Sequence, residues 1–231
     1  MARSARKDAA ATFRHAIARS NELHTQYLDE PALFESYDRF TRWQADYMLP
    51  LFSDLLEPEG YADAVDFVVS DLCGVGVSER DHDIERATPV IVRSLPTHAM
   101  ETAAAAVELN AAALEINTGI WNGLLVDGEL PAVITEAEYC RACRSAASFE
   151  EVMALVELAI TLGETLKTLV RVPLIGFLLK TMRVPAHAAG FGALQEFLET
   201  GFVTFHEISD IDRFLDDLGA RLEQVFKHIY G

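Results

Sequence analysis

Apolar side chains recur along this chain at intervals of three and four, the spacing that lines one face of an α-helix. Ala9 to Leu28 reads as a helix, and Pro31 follows where the first turn of the next helix tolerates it. From Ala32 to Leu56 the stripe is Leu33, Phe34, Tyr37, Phe40, Trp43, Tyr47, Leu51 and Leu55, with Pro50 placed to kink or split the helix near Tyr47. Tyr61, Ala64, Val65, Val68 and Leu72 form a further stripe, with Asp63, Asp66 and Ser70 opposite, closed by Gly74 and Gly76. Ser78 followed by Asp81 has the form of an N-cap with an acidic first turn. It opens a helix to about Leu95, which Pro89 is expected to kink or split.

Past Pro96, with Thr97 as a cap, an alanine-rich helix is expected to about Leu114, then a weaker one over Ile116 to Val126, where Gly119 and Gly123 interrupt. Asp127-Gly128 marks a loop. Thr135 with Glu138 and Ser148 with Glu151 are capping boxes. Val152 to Val170 is apolar nearly all round, the mark of a central buried helix. A short helix after Pro173, another over Ala186 to Glu207, and a last one opened by Ser209 with Asp212 complete the chain. That last stripe, Ile211, Phe214, Leu215, Leu218, Leu222, Val225, Phe226 and Ile229, is the cleanest of all. No strand alternation and no fixed-period repeat intervene. The expected fold is all-α, a single-domain bundle of about ten helices over 1–231, with residues 1–30 as a basic N-terminal helix packing on it or extending from it.

Composition narrows the classes. The 231 residues carry 36 acidic and 19 basic side chains, a net charge of −17, with 50 % hydrophobic residues, too many for a disordered chain. A surface at pI 4.7 repels phosphates, which argues against nucleic acid. Three cysteines are too few for a disulfide scaffold, and the most apolar run, Val172 to Leu179, is far short of the ~20 residues of a membrane span, so a cytoplasmic protein is expected. The charge is uneven. Residues 1–20 hold five basic side chains and one acidic, a balance of +4, against 14 and 35 in the remainder, −21. Such a basic helix can dock on the body, on a second copy or on an anionic partner.

Residues with chemical potential are few. Glu79-x-x-His82 places a carboxylate and an imidazole on one helix face, a pair that a di-iron bundle uses twice, with two further glutamates, and that occurs here once. Cys140-x-x-Cys143 lacks a second ligand pair for zinc and the βαβ setting of a thioredoxin site. The densest polar stretch is Ser78 to Arg86, where Glu79, His82, Asp83 and Arg86 share one side of a helix that could take a basic partner or a polar ligand. Aromatic residues concentrate in 34–67 and 191–230; these regions are expected to meet in the core, with a pocket for an apolar ligand as the less favoured use.

The run Tyr61-Ala-Asp-Ala-Val-Asp-Phe-Val-Val-Ser-Asp-Leu-Cys-Gly74 followed by Ser78-Glu-Arg-Asp-His-Asp-Ile-Glu-Arg86 resembles the signature of the bacterial FFLEELY-motif proteins. Phe67, Asp71, Leu72, Gly74, Ser78, Arg80, Asp81, Asp83 and Arg86 match it, and a second block, Arg183 to Phe205, is similar to that family's C-terminal half. The name motif is degenerate: Phe67-Val-Val-Ser-Asp-Leu-Cys73 lacks the second Phe, one Glu and the Tyr. The resemblance implies an all-helical bacterial protein and carries no activity with it.

The expected function is a soluble helical protein that binds a protein partner, itself or a small apolar ligand, without a cofactor. Its candidate surface residues are Ser78, Arg80, Asp81, Asp83, Arg86, Arg183, Gly190 and Glu199, with Gly190 and Gly201 permitting close helix approach. The alternative is an iron-dependent oxidase resembling haem-oxygenase-like enzymes. Its metal would sit among Glu79, His82, Glu199 and His206, with Glu22, His24 and Asp83 as further ligands.

Overall fold

A computed structural model describes residues 2–28, 30–55, 61–68 and 77–231, and these described residues form an all-α bundle of ten helices. Among the described residues the only β pairing is an isolated bridge between Val126 and Glu129. It closes a tight turn at Asp127 and Gly128, both at positive φ (53° and 84°), as the two central residues of a type I′ turn require.

Helix α1 (Ala2–Leu28) and the longest helix, α5 (Thr97–Leu124), pack along each other through Ala10, Phe13, Ala16 and Ile17 against Met100, Ala104, Val107 and Ala111. The charge of α1 is answered by the body of the protein. Arg6 donates to the carbonyls of Val92, Arg93 and Leu95, at the C-terminus of α4 (Val77–Ser94), where a cation is favourable. Arg19 pairs with Glu108 and Glu115 of α5. Helix α2 (Pro31–Met48) passes into a 3₁₀ turn, Leu49–Leu55, at Pro50, so the expected split occurs there. Helix α3 (Tyr61–Asp66) is short; its expected continuation to Leu72, Gly74 and Gly76 lies outside the described residues. Ser78, expected as a cap, already stands inside α4, and Pro89 leaves α4 in one piece.

Other boundaries follow the caps. Thr135 with Glu138 and Ser148 with Glu151 form reciprocal capping boxes at the starts of α6 (Glu136–Ala146) and α7 (Phe149–Val170). Pro96, not Thr97, precedes α5, and Asp210, not Ser209, caps α10 (Ile211–Tyr230) by accepting from the Arg213 N–H. The last helix buries Ile211, Phe214, Leu215, Leu218, Val225 and Ile229 as its stripe predicts. The two aromatic regions meet as expected, through Tyr61 on Phe214 and Phe67 on Phe197 and Phe205.

Two further expectations need correction. The helix expected to weaken at Gly119 and Gly123 is continuous through both, because those glycines let α6 lie close. A Cβ at Gly119 would come 3.1 Å from the Cβ of Ala146, and one at Gly123 would come 3.4 Å from that of Ala142. The all-apolar helix α7 is not the centre. It buries only Val152, Val156, Gly163 and Val170, while α5, with ten buried residues, fills that place. Helix α7 packs chiefly on α10, where a Cβ at Gly163 would come 2.6 Å from Leu215 Cδ2, and is followed by α8 (Pro173–Ala188) and α9 (Gly192–Glu207).

The two glycines of α5 differ in a way that stability measurements resolve. Gly119→Val should destabilise by about 1–3 kcal/mol, since its added bulk meets Ala146, whereas Gly123→Ala should be neutral or stabilising by up to ~1 kcal/mol. Urea unfolding followed by circular dichroism reads both, and equal effects would contradict close α5–α6 packing at Gly119.

Candidate functional site

A carboxylate, a guanidinium and an imidazole meet in the interior. Asp81 is 0 %, His24 3 % and Arg80 4 % exposed, so each charge needs partners to be tolerated there. Asp81 Oδ1 accepts from Arg80 Nε at 3.0 Å and Nη2 at 2.9 Å. Its Oδ2 accepts from Asn110 Nδ2 of α5 at 2.8 Å and from His24 Nε2 of α1 at 3.0 Å. While Nε2 faces an acid that only accepts, Nδ1 hydrogen-bonds with the Tyr27 hydroxyl. Arg80 also donates to Asn110 Oδ1, and its guanidinium lies 4.5 Å from the centre of the Phe197 ring on α9. Burial alone would raise the Asp81 pKa. The His24 hydrogen bond and the Arg80 charge outweigh it and hold the carboxyl below its ordinary value.

Tyr27, His24 and Asp81 thus run hydroxyl–imidazole–carboxylate, an order shared with nucleophilic sites. Here the hydroxyl is a core group, stacked on Tyr37, and burial moves it further from ionisation. The arrangement joins α1, α4, α5 and α9.

One turn further along α4, two side chains hold the α8–α9 turn. The last residues of α8 form a Schellman motif: the Gly190 N–H donates to the His187 carbonyl and the Phe191 N–H to that of Ala186, with Gly190 at φ +77°. Gly190 is therefore a glycine for its backbone angle rather than for close helix approach. Arg86 donates to the carbonyls of Gly190 (2.9 Å) and Ala189 (3.2 Å), and its guanidinium lies 4.9 Å from the Phe191 ring centre. Asp83 accepts from the Leu194 N–H at 3.2 Å, the third residue of α9, whose own preceding residue Phe191 supplies no side-chain cap. A cation at one helix end and an anion at the next helix start, three residues apart on α4, suit both dipoles.

What this clamp positions is an outward apolar face. Among the described residues, twelve large hydrophobic side chains are exposed, and eight lie between Val172 and Val203. On α8 they are Leu174, Phe177 (62 %), Leu178, Met182 and Val184 (77 %). The inward side of α8 is smaller: a Cβ at Gly176 would come 2.8 Å from the Phe202 ring of α9. Between the two helices runs a groove of about 490 Å³, lined by Phe177, Leu179, Phe202 and Val203, with Arg183, Glu199 and His206 at its polar margin. Arg183 donates twice to Glu199 Oε2 (2.9 and 2.6 Å) and lowers its pKa, and Gln195 donates to Oε1 at 3.1 Å.

The predicted residues therefore divide. Arg80, Asp81 and Asp83 are buried and bonded inward; Arg86 and Gly190 form the clamp; Arg183 and Glu199 flank the groove. The Ser78 side chain, and the name-motif residues from position 69 to Cys73, lie outside the described residues. Of the alternative metal ligands, Glu79 and His82 face solvent, with His82 beside Glu85 at 3.8 Å. Glu199 is taken by Arg183, and His206 stacks on Phe202. Among the described residues no three of His, Cys, Asp and Glu stand close enough to hold a metal. Cys140 and Cys143 are free and buried on one turn of α6, and burial pushes the Cys143 thiol up to about 12, away from the reactive thiolate. Gly201 does serve close approach, with a Cβ there 2.9 Å from the Phe67 ring.

Three parts of this site carried a signal in the sequence that periodicity alone does not read. Asn110 is the one amide in the alanine-rich half of α5, and His24 lies 57 positions from its partner Asp81. The 31 residues from Thr165 to Gln195 contain no Asp or Glu, twice the length of any other such run in this acidic chain. The two blocks quoted above for their resemblance, Tyr61 to Arg86 and Arg183 to Phe205, lie against each other through Phe67, Arg80, Asp83 and Arg86.

A family model described as a domain of unknown function (DUF8198) matches residues 23–231. No curated protein and no solved structure matches the chain.

Asp81→Asn should cost about 3–5 kcal/mol at pH 7, because it removes the buried carboxylate on which the Arg80, His24 and Asn110 side chains converge. The folded-state pKa of Asp81 lies below the ordinary ~3.9, so its contribution is complete above that pH and is lost as the pH falls through the lowered value. The gap between wild type and variant in urea unfolding should therefore narrow at acid pH. A gap that stays constant down to pH ~3 would contradict this electrostatic role.

Proposed function

We propose that this chain, which belongs to the DUF8198 family of domains of unknown function, works as a binding protein whose working surface is the outward face of α8 and the α8–α9 groove. One observation carries the reading: half of the twelve exposed large hydrophobic side chains among the described residues lie on α8 or line this groove. Contiguous exposed apolar surface on a folded chain marks an interaction site. The α4 clamp supports the same reading, because Arg86 and Asp83 fix both helix ends at the turn from which the face is displayed. Of the surface residues named from sequence, Arg183 and Glu199 belong to this face, Arg86 and Gly190 set its geometry, and Arg80, Asp81 and Asp83 support it from within. Among the described residues no helix is long and apolar enough to cross a membrane, so the apolar residues of α8 do not read as a span.

A small apolar ligand is a second occupant, favoured by the size of the groove, about 490 Å³, within the range of small-molecule sites. Either occupant uses the same face.

An apolar fluorescent dye, anilinonaphthalene sulfonate, tests whether that face is open. The native protein should bind it saturably. Phe177→Glu combined with Met182→Glu should remove most of the signal while leaving the unfolding midpoint within about 0.5 kcal/mol of wild type, as expected for exposed positions. An unchanged dye signal in this double variant would refute the reading.

A further inference from the structure

Resting on the binding face proposed above, we infer the chemistry of its occupant: an acidic amphipathic helix of a partner protein, laid along α8 and the α8–α9 groove.

The first ground is charge. The acid-free run from Thr165 to Gln195 has α8 at its centre and contains Lys167, Arg171, Lys180 and Arg183. Lys167 is engaged by Glu164 and Asp212, and Arg183 by Glu199. Among the described residues no carboxylate pairs with Arg171 or Lys180, although both line the groove and the chain carries 36 acids. Two cations thus line an apolar groove without an ion pair; with Arg183 they set three positive charges against the two of Glu199 and Glu207, an excess of one. The complementary surface is apolar with acidic margins.

The second ground is shape. The outward residues Leu174, Phe177, Leu178 and Met182 follow spacings of three and four, and α8 with its 16 residues offers about 24 Å of length. An apolar stripe beside a groove between two helices matches the way an amphipathic helix docks, through anchors at i, i+3, i+4 and i+7.

Other occupants fit less well. Two copies of α8 packed on each other would oppose cation to cation, since the run contains no acid to pair with them. An anionic bilayer would meet the local cations but also the remaining acidic surface of a chain of charge −17.

A binding experiment with the full chain separates these outcomes. The probe is a labelled synthetic helix of about 18 residues, with Leu at i, i+3, i+4 and i+7 and Glu at the flanking positions, beside a counterpart with Lys for Glu. Fluorescence anisotropy should show the Glu peptide binding at least about tenfold more tightly, with affinity falling as salt shortens the screening length. Arg171→Glu with Lys180→Glu should invert the preference, and the Phe177→Glu, Met182→Glu variant should bind neither peptide. Equal affinity for the two peptides, or no binding of the Glu peptide, overturns the inference. So does co-flotation with phosphatidylcholine vesicles containing about one quarter phosphatidylserine when the peptide stays unbound. The dye experiment keeps the two levels apart: dye bound at α8 without peptide binding removes this occupant and leaves the face, whereas loss of the dye site removes both.

Discussion

The carboxylate of Asp81 is the point on which the bundle turns. An ion without water must have its lone pairs filled, and Asp81 fills them from three helices: His24 on α1, Arg80 on its own α4, and Asn110 on α5. Hydrophobic packing alone leaves helices free to slide by a turn with small loss. Four directional bonds to one carboxylate do not allow that, because a shift of one helix strands a buried charge. Asp81 therefore sets the register of α1 and α4 on α5, and through the Arg80–Phe197 contact it also locates α9.

From that junction outward, α4 works as a bracket. Its first buried pair faces the centre, and the next turn presents Asp83 and Arg86 to the end of α8 and the start of α9. Orphan backbone groups at these helix ends are satisfied from outside their own helices. This matters because α8 is held less by burial than its neighbours: its inward side is small, and its larger apolar side chains point to solvent. A helix whose larger apolar side chains are exposed needs support of another kind, and the Arg86 contacts at its C-terminal end supply it.

Much of this was legible in the amino-acid sequence. The helical class, the stripe of α10, the break at Pro50 and the capping boxes at Thr135 and Ser148 all rest on local rules, and local rules are what a sequence carries openly. Departures came where partners distant in sequence decide. Gly119 and Gly123 read as weak points in isolation and are contact points once α6 is present. The apolarity of α7 suggested a buried centre, whereas that place belongs to α5, with ten buried residues against four on α7. Arg80 and Asp81 stand in a run of charges like any solvated helix start. Only a histidine 57 positions away from Asp81 and an asparagine 29 away show that this turn points inward. The acid-free run around α8 needed no structure to be seen, but its meaning required knowing that α8 displays its apolar side.

The polar turn of α4 holds α8 and α9 in place while the rest of the bundle stands without it. Amide hydrogen exchange of wild type and Arg86→Ala measures this directly. Faster exchange confined to the end of α8 and the start of α9, with α1, α5 and α10 unchanged, is the predicted result. Unchanged exchange at the α8–α9 turn, or acceleration spread evenly over all helices, would contradict it.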